Sequence, residues 1–295
     1  IGERIRASWD ADELSLYGRF DFILAKDGTP KILEFNADTP TSLLEASVIQ
    51  WQWKEDVFPE CDQFNGIHEG LVQSWKDIFP KKGEIYFAGA LENNEDTGTL
   101  QYLASTAMEA GFSTRVLDMQ ALDLQNGRFF DPAGELVNRC FKLYPWEWMV
   151  DESPDGCLAE MEWLEPIWKL VMSNKAILAT LYELFPDSPY VLPCYLSRPR
   201  SGLFCKKPVF SREGHNVSVV DIRDWEEYVR IAETEGDYNT GAYVYQEYVE
   251  PTAYSGRYPV IGSWIIGGEA AGIGIRENRM EVTDNLSEFV PHIIG

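Results

Sequence analysis

Four polar side chains near the start of the chain have types and spacings suited to holding a cation and an anion together. They are Arg19, Asp21, Glu34 and Asn36. The Asp27-Gly28 pair between them, flanked by alternating apolar residues, is a strong signal for a β-hairpin. If Lys26 pairs with Thr29, the two carboxylates stand opposite each other and the guanidinium stands opposite the amide. All four side chains then share one face, because side chains alternate along a strand with period two.

Two carboxylates directly across a strand pair repel each other, so this face needs a neutralising cation. A Mg²⁺ ion bound by Asp21, Glu34 and the Asn36 carbonyl would supply it, because hard divalent cations take oxygen ligands and commonly combine carboxylates with substrate phosphates. Arg19 would lie beside the metal, where a phosphate can bridge the two. The alternative is a solvated hairpin face with ordinary surface charges.

A hydroxyl-rich turn at 37–42 follows the hairpin and precedes a predicted helix at 43–51. Free N–H groups at the amino end of a helix can bind a phosphate or a carboxylate. We therefore expect this turn to border the metal site.

The next segment predicts a βαβ unit. The predicted elements are a strand at 85–91, a polar loop at 92–98, a helix from Thr99 to Gly111 and a strand at 114–117. The ligand crevice of such a unit lies at the carboxyl ends of its strands. Glu95 and Asp96 lie on the predicted loop, where they either grip an ammonium group or are ordinary loop acids.

The segment at 141–149 is dense in aromatic residues, and Trp163 extends the group. Large aromatic clusters are more often core than ligand cage, so we predict that these residues pack in the interior. A helix at 175–185, capped by Ser173-Asn174, is predicted to follow.

The segment at 204–220 has two apolar runs around a short polar loop, which is the pattern of a β-loop-β lid over phosphates. Lys207 would reach in from the strand as a point charge, Arg212 would offer a fork of donors, and the loop around Gly214 would supply N–H groups. A Walker A loop would need a second Gly and a Gly-Lys-Ser/Thr ending, which this segment lacks. A generic hairpin is the alternative.

The carboxyl-terminal part of the chain predicts mainly strands. One strand is predicted at 242–249. A hairpin at 260–276, around Gly267-Gly268, is expected to extend the sheet of the first hairpin. The segment at 283–292 is predicted as a loop or a short strand.

Composition and charge exclude several classes of protein. The 295 residues suffice for two or three packed units, and 45% of them are hydrophobic, as in an ordinary globular protein. The net charge of −23 argues against a nucleic-acid partner, because phosphate contacts need a basic surface. An amine substrate would suit that charge, and so would a simple acidic cytosolic protein.

The chain shows no membrane or targeting signal, and its cysteines and histidines indicate no site. Without a signal peptide or an apolar run of roughly 18 residues, we expect a cytoplasmic protein with no membrane partner. The five cysteines, an odd number without close spacing, predict reduced thiols, and the three histidines are too scattered for a metal site or a nucleophile–base pair. Because the chain begins without Met, in charged sequence, we also expect a segment upstream of it.

Five phrases of the sequence closely resemble glutathionylspermidine synthase. They are Leu-Glu-Phe-Asn-Ala-Asp-Thr-Pro-Thr-Ser-Leu at 33–43, Lys-Leu-Tyr-Pro-Trp-Glu at 142–147, Ser-Asn-Lys-Ala at 173–176, Lys-Pro-Val-Phe-Ser-Arg-Glu-Gly at 207–214 and Gly-Ser-Trp at 262–264. The resemblance covers nearly the whole chain, and it is to the stand-alone, synthase-like bacterial members that lack the amidase domain.

The resemblance implies an α/β protein with an ATP-grasp fold in permuted order, in which the metal hairpin precedes the lid. It also implies an inserted Rossmann-like pre-ATP-grasp βαβ unit. The implied division is 1–65 and 246–295 for the metal-binding catalytic sheet, 84–165 for the Rossmann-like unit and 166–245 for the lid subdomain.

The activity implied by the resemblance is that of an ATP-dependent carboxylate–amine ligase. Such an enzyme phosphorylates a peptide carboxylate and lets a polyamine or another amine displace the phosphate, with ATP and Mg²⁺ as cofactors. A non-catalytic nucleotide-binding regulatory protein that keeps the fold and a small-molecule kinase are the alternatives. The resemblance leaves the acid, the amine and the oligomeric state open.

The site residues assigned with this resemblance fall into four groups. The phosphate-binding arginines are Arg19, Arg212 and Arg276. The metal ligands are Asp21, Glu34 and Asn36. The residues for ATP are Lys175, Lys207 and Gly214, with Gln246, Glu247, Tyr248 and Val249 as the strand that holds adenine. The activated carboxylate is assigned to Thr39 and Thr41, and the amine to Glu95 and Asp96.

Overall fold

The computed structural model describes residues 1–212, 214–224, 228–236, 241–279 and 287–295. The first elements are α1 (Gly2–Asp10), β1 (Tyr17–Leu24), β2 (Pro30–Asn36), a π-helical segment (Glu45–Ile49), α2 (Gln50–Val57) and α3 (Ile67–Ile78). The next are β3 (Glu84–Gly89), α4 (Asn94–Glu109), β4 (Ser113–Asp118), a 3₁₀ turn (Met119–Ala121), β5 (Asp123–Gln125), β6 (Arg128–Phe130), β7 (Leu136–Val137), β8 (Arg139–Leu143), α5 (Trp146–Glu152), α6 (Pro154–Cys157) and β9 (Glu162–Leu164). The last are α7 (Lys169–Met172), α8 (Ile177–Leu184), β10 (Cys194–Tyr195), β11 (Gly202–Pro208), β12 (Ser218–Ile222), β13 (Tyr228–Glu233), β14 (Tyr243–Glu247), β15 (Tyr258–Ile266), β16 (Glu269–Asn278) and β17 (Glu288–Val290). No helix within the described ranges is long and apolar enough to cross a membrane.

An antiparallel sheet in the order β17-β16-β15-β1-β2 carries the opening hairpin. β15 and β16 form the hairpin predicted around Gly267-Gly268, and β15 pairs with β1. The prediction that the two hairpins share one sheet is therefore confirmed. Of the segment predicted at 283–292, residues 283–286 lie outside the described residues, and Glu288–Val290 form β17.

The turn of the opening hairpin differs from the prediction, whereas the pairing of its polar residues does not. Ala25 faces Thr29 in place of Lys26, and Gly28 takes a φ of +81°, a left-handed conformation that glycine adopts without strain. This longer turn shifts the register by one residue, and a β-bulge after Asp21 shifts it back. The predicted turn pair is wrong, but the two carboxylates still face each other and the guanidinium still faces the amide.

The helix predicted at 43–51 is longer and less regular than expected. It contains the π-helical segment Glu45–Ile49 and continues through α2 to Val57. π-helical turns occur frequently at functional sites. This one starts at Glu45, a residue that lines a cleft between the sheets.

A parallel sheet in the order β4-β3-β8-β9 contains the predicted βαβ unit. Its helix α4 begins at Asn94, earlier than the predicted Thr99, because the Asn93 side chain caps it by accepting hydrogen bonds from the N–H groups of Glu95 and Asp96. The prediction that these two acids lie on a loop is wrong. They occupy the first helical turn, where negative charge interacts favourably with the helix dipole.

A third sheet, in the order β10-β14-β11-β12-β13, contains the predicted β-loop-β segment. β14 pairs with β11 and corresponds to the strand predicted at 242–249. The helix predicted at 175–185 begins only at Ile177, so Lys175 lies in the turn before it. A small antiparallel sheet, β5-β6-β7, completes the fold, and the cysteines are free, as predicted.

The largest core cluster joins the antiparallel sheet to the parallel sheet. Tyr17 and Trp264 come from the first sheet, Phe87 and Phe141 come from the second, and Trp75 of α3 packs with them. The ring centroids of Tyr17 and Phe141 lie 5.7 Å apart in an edge contact. Close packing of large rings holds the two sheets in a fixed relation, and this relation sets the cleft between them.

The aromatic segment at 141–149 is only in part the core that its composition predicts. Phe141 and Trp146 are fully buried, which confirms the prediction for them. Trp148 is 41% exposed and lines the same cleft as Glu45, so the assignment to packing is wrong at that position. Tyr144 lines this cleft too, but it also packs against a core cluster.

Candidate active site

Three of the sheets contribute residues to a cleft of about 670 Å³. It lies at the carboxyl ends of β3 and β8, where parallel strands place their ligand crevice. Every site residue predicted from the sequence lines this cleft except Asp21, which is buried beneath it. The predicted residues that line it are Arg19, Glu34, Asn36, Thr39, Thr41, Glu95, Asp96, Lys175, Lys207, Arg212, Gly214, Gln246, Glu247, Tyr248, Val249 and Arg276.

Asp21 is only 2% exposed and holds two guanidinium groups at the floor of the cleft. It accepts hydrogen bonds from Arg19 Nε at 2.6 Å, from Arg19 Nη2 at 3.0 Å and from Arg276 Nη2 at 2.8 Å. Asn36 Nδ2 donates to the same carboxylate at 3.3 Å. Two positive charges thus share one negative charge, so the floor has an excess positive charge that suits an anion.

Burial opposes the charge of both arginines, with different outcomes. For Arg19, burial lowers the pKa, but the carboxylates of Asp21, Glu34 and Glu45 together outweigh burial and the net effect is a raised pKa. For Arg276, burial and the neighbouring charge of Arg19 prevail and lower the pKa. A phosphate beside the two guanidinium groups would offset both the burial and their mutual repulsion.

The strand next to Arg19 leaves room for its side chain. Gly262 of β15 pairs with Asp21, and a Cβ atom at Gly262 would lie 2.7 Å from Arg19 Cδ. The Arg19 guanidinium lies 5.7 Å from the centroid of the Trp264 ring, at cation–π distance. Arg19 Nη1 also donates to the Thr41 carbonyl, which ties the hairpin to the turn that follows it.

Glu34, the second carboxylate, is held in its ionised form by two lysines. Lys175 Nζ lies 3.0 Å from Glu34 Oε2, and Asn36 Nδ2 lies 3.5 Å from Glu34 Oε1. Burial alone would raise the pKa of Glu34, but the charges of Lys175 and Lys207 outweigh burial and lower it to about 2. Because Asn36 contacts both carboxylates, Asp21 and Glu34 converge on one amide. In the part of the chain that the structure describes, no three His, Cys, Asp or Glu side chains form a group that could hold a metal ion.

Lys207 is buried where β11 approaches β2. Its Nζ donates to Gln246 Oε1 at 2.7 Å and to the Leu33 carbonyl at 3.1 Å. Burial lowers the pKa of Lys207. Gln246 Nε2 donates in turn to the Ile32 carbonyl at 2.8 Å, so the Gln246 amide links the lysine to the hairpin.

The strand predicted to hold adenine already uses part of its backbone. The N–H group of Glu247 donates to the Pro193 carbonyl at 2.7 Å, and the N–H group of Tyr248 donates to the Leu203 carbonyl at 2.9 Å. Val249, the last residue predicted for this role, lines the cleft.

Arg212 extends from the β11–β12 loop to two other parts of the chain. Its Nη1 donates to Thr39 Oγ1 at 2.6 Å, and its Nη2 donates to Glu147 Oε1 at 2.5 Å. The guanidinium carbon lies 5.8 Å from the centroid of the Trp148 ring. Neither Glu147 nor Trp148 was predicted as a site residue, because the aromatic composition of their segment indicates packing.

A buried ion pair that sequence reasoning missed joins the turn after the hairpin to β8. Lys142 Nζ lies 2.6 Å from Asp38 Oδ1, and neither side chain is exposed. Asp38 Oδ2 also accepts a hydrogen bond from the Trp146 N–H group at 2.8 Å, at the start of α5. Burial lowers the pKa of Lys142 against the opposing effect of Asp38. The only signal for the pair is that its members lie in the phrases 33–43 and 142–147.

A second carboxylate missed from the sequence, Glu165, holds the start of β1. It is fully buried and accepts hydrogen bonds from the N–H groups of Leu16 and Tyr17, both at 3.1 Å. Lys169 Nζ lies 3.4 Å from Glu165 and donates to the carbonyls of Tyr17 and Ala37 at 2.9 and 3.0 Å. These contacts anchor both strands of the opening hairpin at the end that carries the site.

The lining of the cleft also includes acidic and aromatic residues. Glu45 lines it together with Glu95 and Asp96, and Tyr144 and Trp148 also border it. Carboxylates beside aromatic faces suit an ammonium group. Glu45 was not predicted as a site residue, because residue spacing does not reveal the π-helical turn that carries it.

A second cavity, of about 1040 Å³, lies at the amino ends of the parallel strands. Acids on its wall are paired with arginines, Glu84 with Arg115 at 2.8 Å and Glu162 with Arg139 at 2.6 Å. None of the site residues predicted from the sequence borders it. Strand direction therefore favours the smaller cleft as the candidate site.

The whole chain matches one family of known sequences. A family model described as "Glutathionylspermidine synthase preATP-grasp" matches residues 1–295. A putative acid–amine ligase of Haemophilus influenzae is 39% identical over 303 residues, which cover 98% of this chain and 77% of that protein. Trypanothione synthetase of Crithidia fasciculata is 28% identical over 320 residues, covering 97% of this chain and 48% of that protein. The chain therefore spans about half the length of the second relative.

A solved structure shares the fold. The crystal structure of a putative gamma-glutamylcysteine synthetase from Methylobacillus flagellatus KT superimposes with a TM-score of 0.65, covering 99% of this chain and 83% of that chain. The two sequences are 10% identical, so the similarity shows the mixed α/β architecture alone.

Proposed function

Because the chain belongs to the glutathionylspermidine synthase preATP-grasp family, we propose that it is an ATP-dependent carboxylate–amine ligase. A carboxylate oxygen attacks the γ-phosphorus of ATP and ADP leaves. The amine nitrogen then attacks the acyl carbon, phosphate leaves with the electrons of the C–O bond, and the nitrogen loses a proton as the amide forms. We propose a peptide carboxylate as the acid and a polyamine or another amine as the second substrate. The family match and the names of the two relatives support this reaction class.

The observation that carries the proposal is the convergence of cationic side chains on one cleft. They are Arg19, Lys175, Lys207, Arg212 and Arg276. Phosphoryl transfer depends mainly on positioning and on neutralisation of charge, so these groups suffice without a nucleophilic side chain. Thr39 and Thr41 would hold the carboxylate, while Glu45, Glu95 and Asp96 would attract the ammonium group.

Two carboxylates at the floor of the cleft support magnesium as the cofactor. Asp21 and Glu34 both contact Asn36 Nδ2, and a flip of that amide would turn its oxygen towards them, giving oxygen donors that Mg²⁺ takes alongside phosphate oxygens. These three residues would hold the ion, which when bound would neutralise phosphate oxygens. Arg19 and Arg276 hold Asp21 in place, and Lys175 does the same for Glu34.

The fold proposed for this reaction is an ATP-grasp in permuted order. The catalytic sheet would comprise 1–65 and 246–295, the Rossmann-like unit 84–165 and the lid subdomain 166–245. The hairpin precedes the β11–β12 loop along the chain, and a wholly parallel sheet is built from strands within 84–165. Both features support the proposed order, whereas the boundary at 245/246 falls within β14, which pairs with β10 and β11.

A substrate screen tests the proposal. The full chain is incubated with MgATP and a panel of peptide carboxylates and polyamines, and the release of ADP is measured. For a ligase, mass spectrometry of the product should find an amide together with free phosphate. A stable phosphorylated product would indicate a small-molecule kinase, and no ADP release across the panel would overturn the enzymatic proposal.

The rival function is that of a non-catalytic nucleotide-binding regulatory protein. It is favoured by one observation, that Asp21 and Glu34 already have cationic partners. Glu34→Gln separates the two, because loss of a metal-binding charge should abolish turnover by a ligase and spare a function that needs binding alone. Glu250→Gln, in an exposed pair with Lys26, is the matched control.

A further inference from the structure

We propose that Glu147 is a positioning residue which, together with Thr39, aims the Arg212 guanidinium at the phosphate that is transferred. The inference rests on the proposed function, because it assigns a phosphate to Arg212. Neither the sequence pattern nor the family resemblance indicated Glu147 for any role in the site. The inference is drawn from the contacts that Arg212, on the β11–β12 loop, makes with Thr39 of the turn after the hairpin and with Glu147 of α5.

The Arg212 guanidinium is held on two edges and one face. Nη1 donates to Thr39 Oγ1 at 2.6 Å, Nη2 donates to Glu147 Oε1, and the Trp148 ring centroid lies 5.8 Å away. The side chains of Arg212 and Glu147 are 29% and 22% exposed, so water competes only in part for the ion pair. A planar, forked donor fixed in this way is pre-organised for oxyanion geometry, and each terminal nitrogen retains a second N–H group.

The two residues that hold Arg212 are themselves fixed by one buried ion pair. Asp38 precedes Thr39 in the chain and pairs with Lys142 at 2.6 Å, with neither side chain exposed. The same carboxylate accepts the Trp146 N–H group at 2.8 Å, and Glu147 follows Trp146 in the first turn of α5. Thr39 and Glu147 are therefore placed from one shared anchor, outside the loop that carries Arg212.

The position of Thr39 in the cleft decides which phosphate Arg212 meets. Thr39 lies on the turn proposed to hold the carboxylate, whereas adenine is proposed to lie along the strand at 246–249. Arg212 therefore stands at the end of the cleft where the terminal phosphate meets its acceptor. Loss of its alignment should affect the binding of a nucleoside triphosphate and spare that of a diphosphate.

The first readout needs no nucleotide and uses the full chain. Modification of arginines by phenylglyoxal, mapped by mass spectrometry, reports how firmly each guanidinium is held. Glu147→Gln should raise the modification rate of Arg212 several-fold and leave that of Arg128 unchanged. The matched control is Glu160→Gln, which removes the partner of Arg128 in a pair at 2.9 Å and should leave Arg212 unaffected.

The second readout compares the binding of a non-hydrolysable ATP analogue and of ADP, each with magnesium. Glu147→Gln should raise the Kd of the triphosphate several-fold and leave the Kd of ADP unchanged. Glu147→Asp keeps the charge, so its Kd for the triphosphate should lie between those of the wild type and Glu147→Gln. A merely structural role would weaken the binding of both nucleotides together.

An unchanged modification rate of Arg212 in Glu147→Gln overturns the inference, as does equal weakening of both nucleotides. If the wild type binds both nucleotides and Glu147→Gln binds them with the same affinities, the inference fails and the proposed function stands. If the wild-type chain binds neither nucleotide, the proposed function fails first and the inference fails with it.

Discussion

Single residues in the cleft are arranged so that carboxylates hold the cations before any ligand arrives. Lys175 lies 3.0 Å from Glu34, and Arg19 lies 2.6 Å from Asp21. Groups fixed in this way need little reorganisation when a phosphate binds, and such pre-organisation is the main source of electrostatic catalysis. Because Glu34 is held in its charged form by a lowered pKa, the arrangement depends on pH.

Glu34 should give the protein a defined response to acid. Its pKa is lowered to about 2 in the folded chain, whereas glutamate in an unfolded chain has a pKa of about 4.3. The carboxylate therefore contributes stability that is fully present above about pH 4.3 and is lost as the pH falls towards about 2. We expect the difference in the free energy of unfolding between the wild type and Glu34→Gln to be constant at neutral pH and to change across that window.

Urea denaturation at a series of pH values measures this difference. The control is Glu250→Gln, whose side chain is 56% exposed, and its difference from the wild type should stay nearly flat over the same range. A difference for Glu34→Gln that shows no dependence on pH below about 4.3 would contradict the lowered pKa.

Among the elements, the opening hairpin shows two irregularities that compensate each other. The turn around Gly28 is one residue longer than the predicted two-residue turn, and the bulge after Asp21 restores the pairing. A one-residue slip would turn the side chains of one strand to the opposite face, so the site depends on both irregularities. The conformation of the turn is therefore worth testing by itself.

Gly28→Ala should destabilise the protein by about 1 kcal/mol, because an L-residue is strained in the left-handed region. The φ of Gly28 is +81°, and a Cβ atom there would meet nothing within 4 Å, so backbone strain is the only expected cost. Gly2→Ala is the matched control, since Gly2 also has open space but lies in α1 without a positive φ. Alanine should be neutral or slightly stabilising there.

The midpoints of urea unfolding compare the two glycine variants. Equal midpoints for Gly28→Ala and Gly2→Ala would show that the turn does not need the left-handed conformation. A loss confined to Gly28→Ala supports the turn observed here, in which Ala25 faces Thr29.

For the whole molecule, the decisive contact is the buried pair of Asp38 and Lys142. It connects the turn after the opening hairpin to the carboxyl end of β8 in the parallel sheet. Through the Trp146 N–H group it also sets the start of α5. The cleft therefore exists only when these parts of the fold are assembled.

Lys142→Met should lower the free energy of unfolding by about 3–5 kcal/mol, because it leaves the Asp38 charge buried without its cation. Asp38→Asn, which keeps an acceptor for the Trp146 N–H group, should recover part of that loss when added to Lys142→Met. A double-mutant cycle by urea denaturation measures the coupling. Strictly additive losses would show that the two residues contribute independently.

Much of the fold and of the site follows from local patterns. The alternation around Asp27-Gly28 predicted the shared face of the hairpin, and the order of strand, helix and strand after residue 84 predicted the parallel unit. The start of α4 was missed because the cap at Asn93 outweighs the polar composition of the segment. Such predictions depend on short segments of the chain, because turn residues and the alternation of side chains determine the backbone conformation locally.

The sequence by itself determined which residue types were present for the chemistry and which of them share the hairpin face, since hairpin register depends on residues close in the chain. Only the tertiary structure decided what holds them. Arg212 meets Glu147 and Lys142 meets Asp38 across 65 and 104 positions of the chain, and Glu165 anchors Leu16 across 149 positions. No local pattern encodes such pairs, because each depends on the packing of separate elements that buries both partners together.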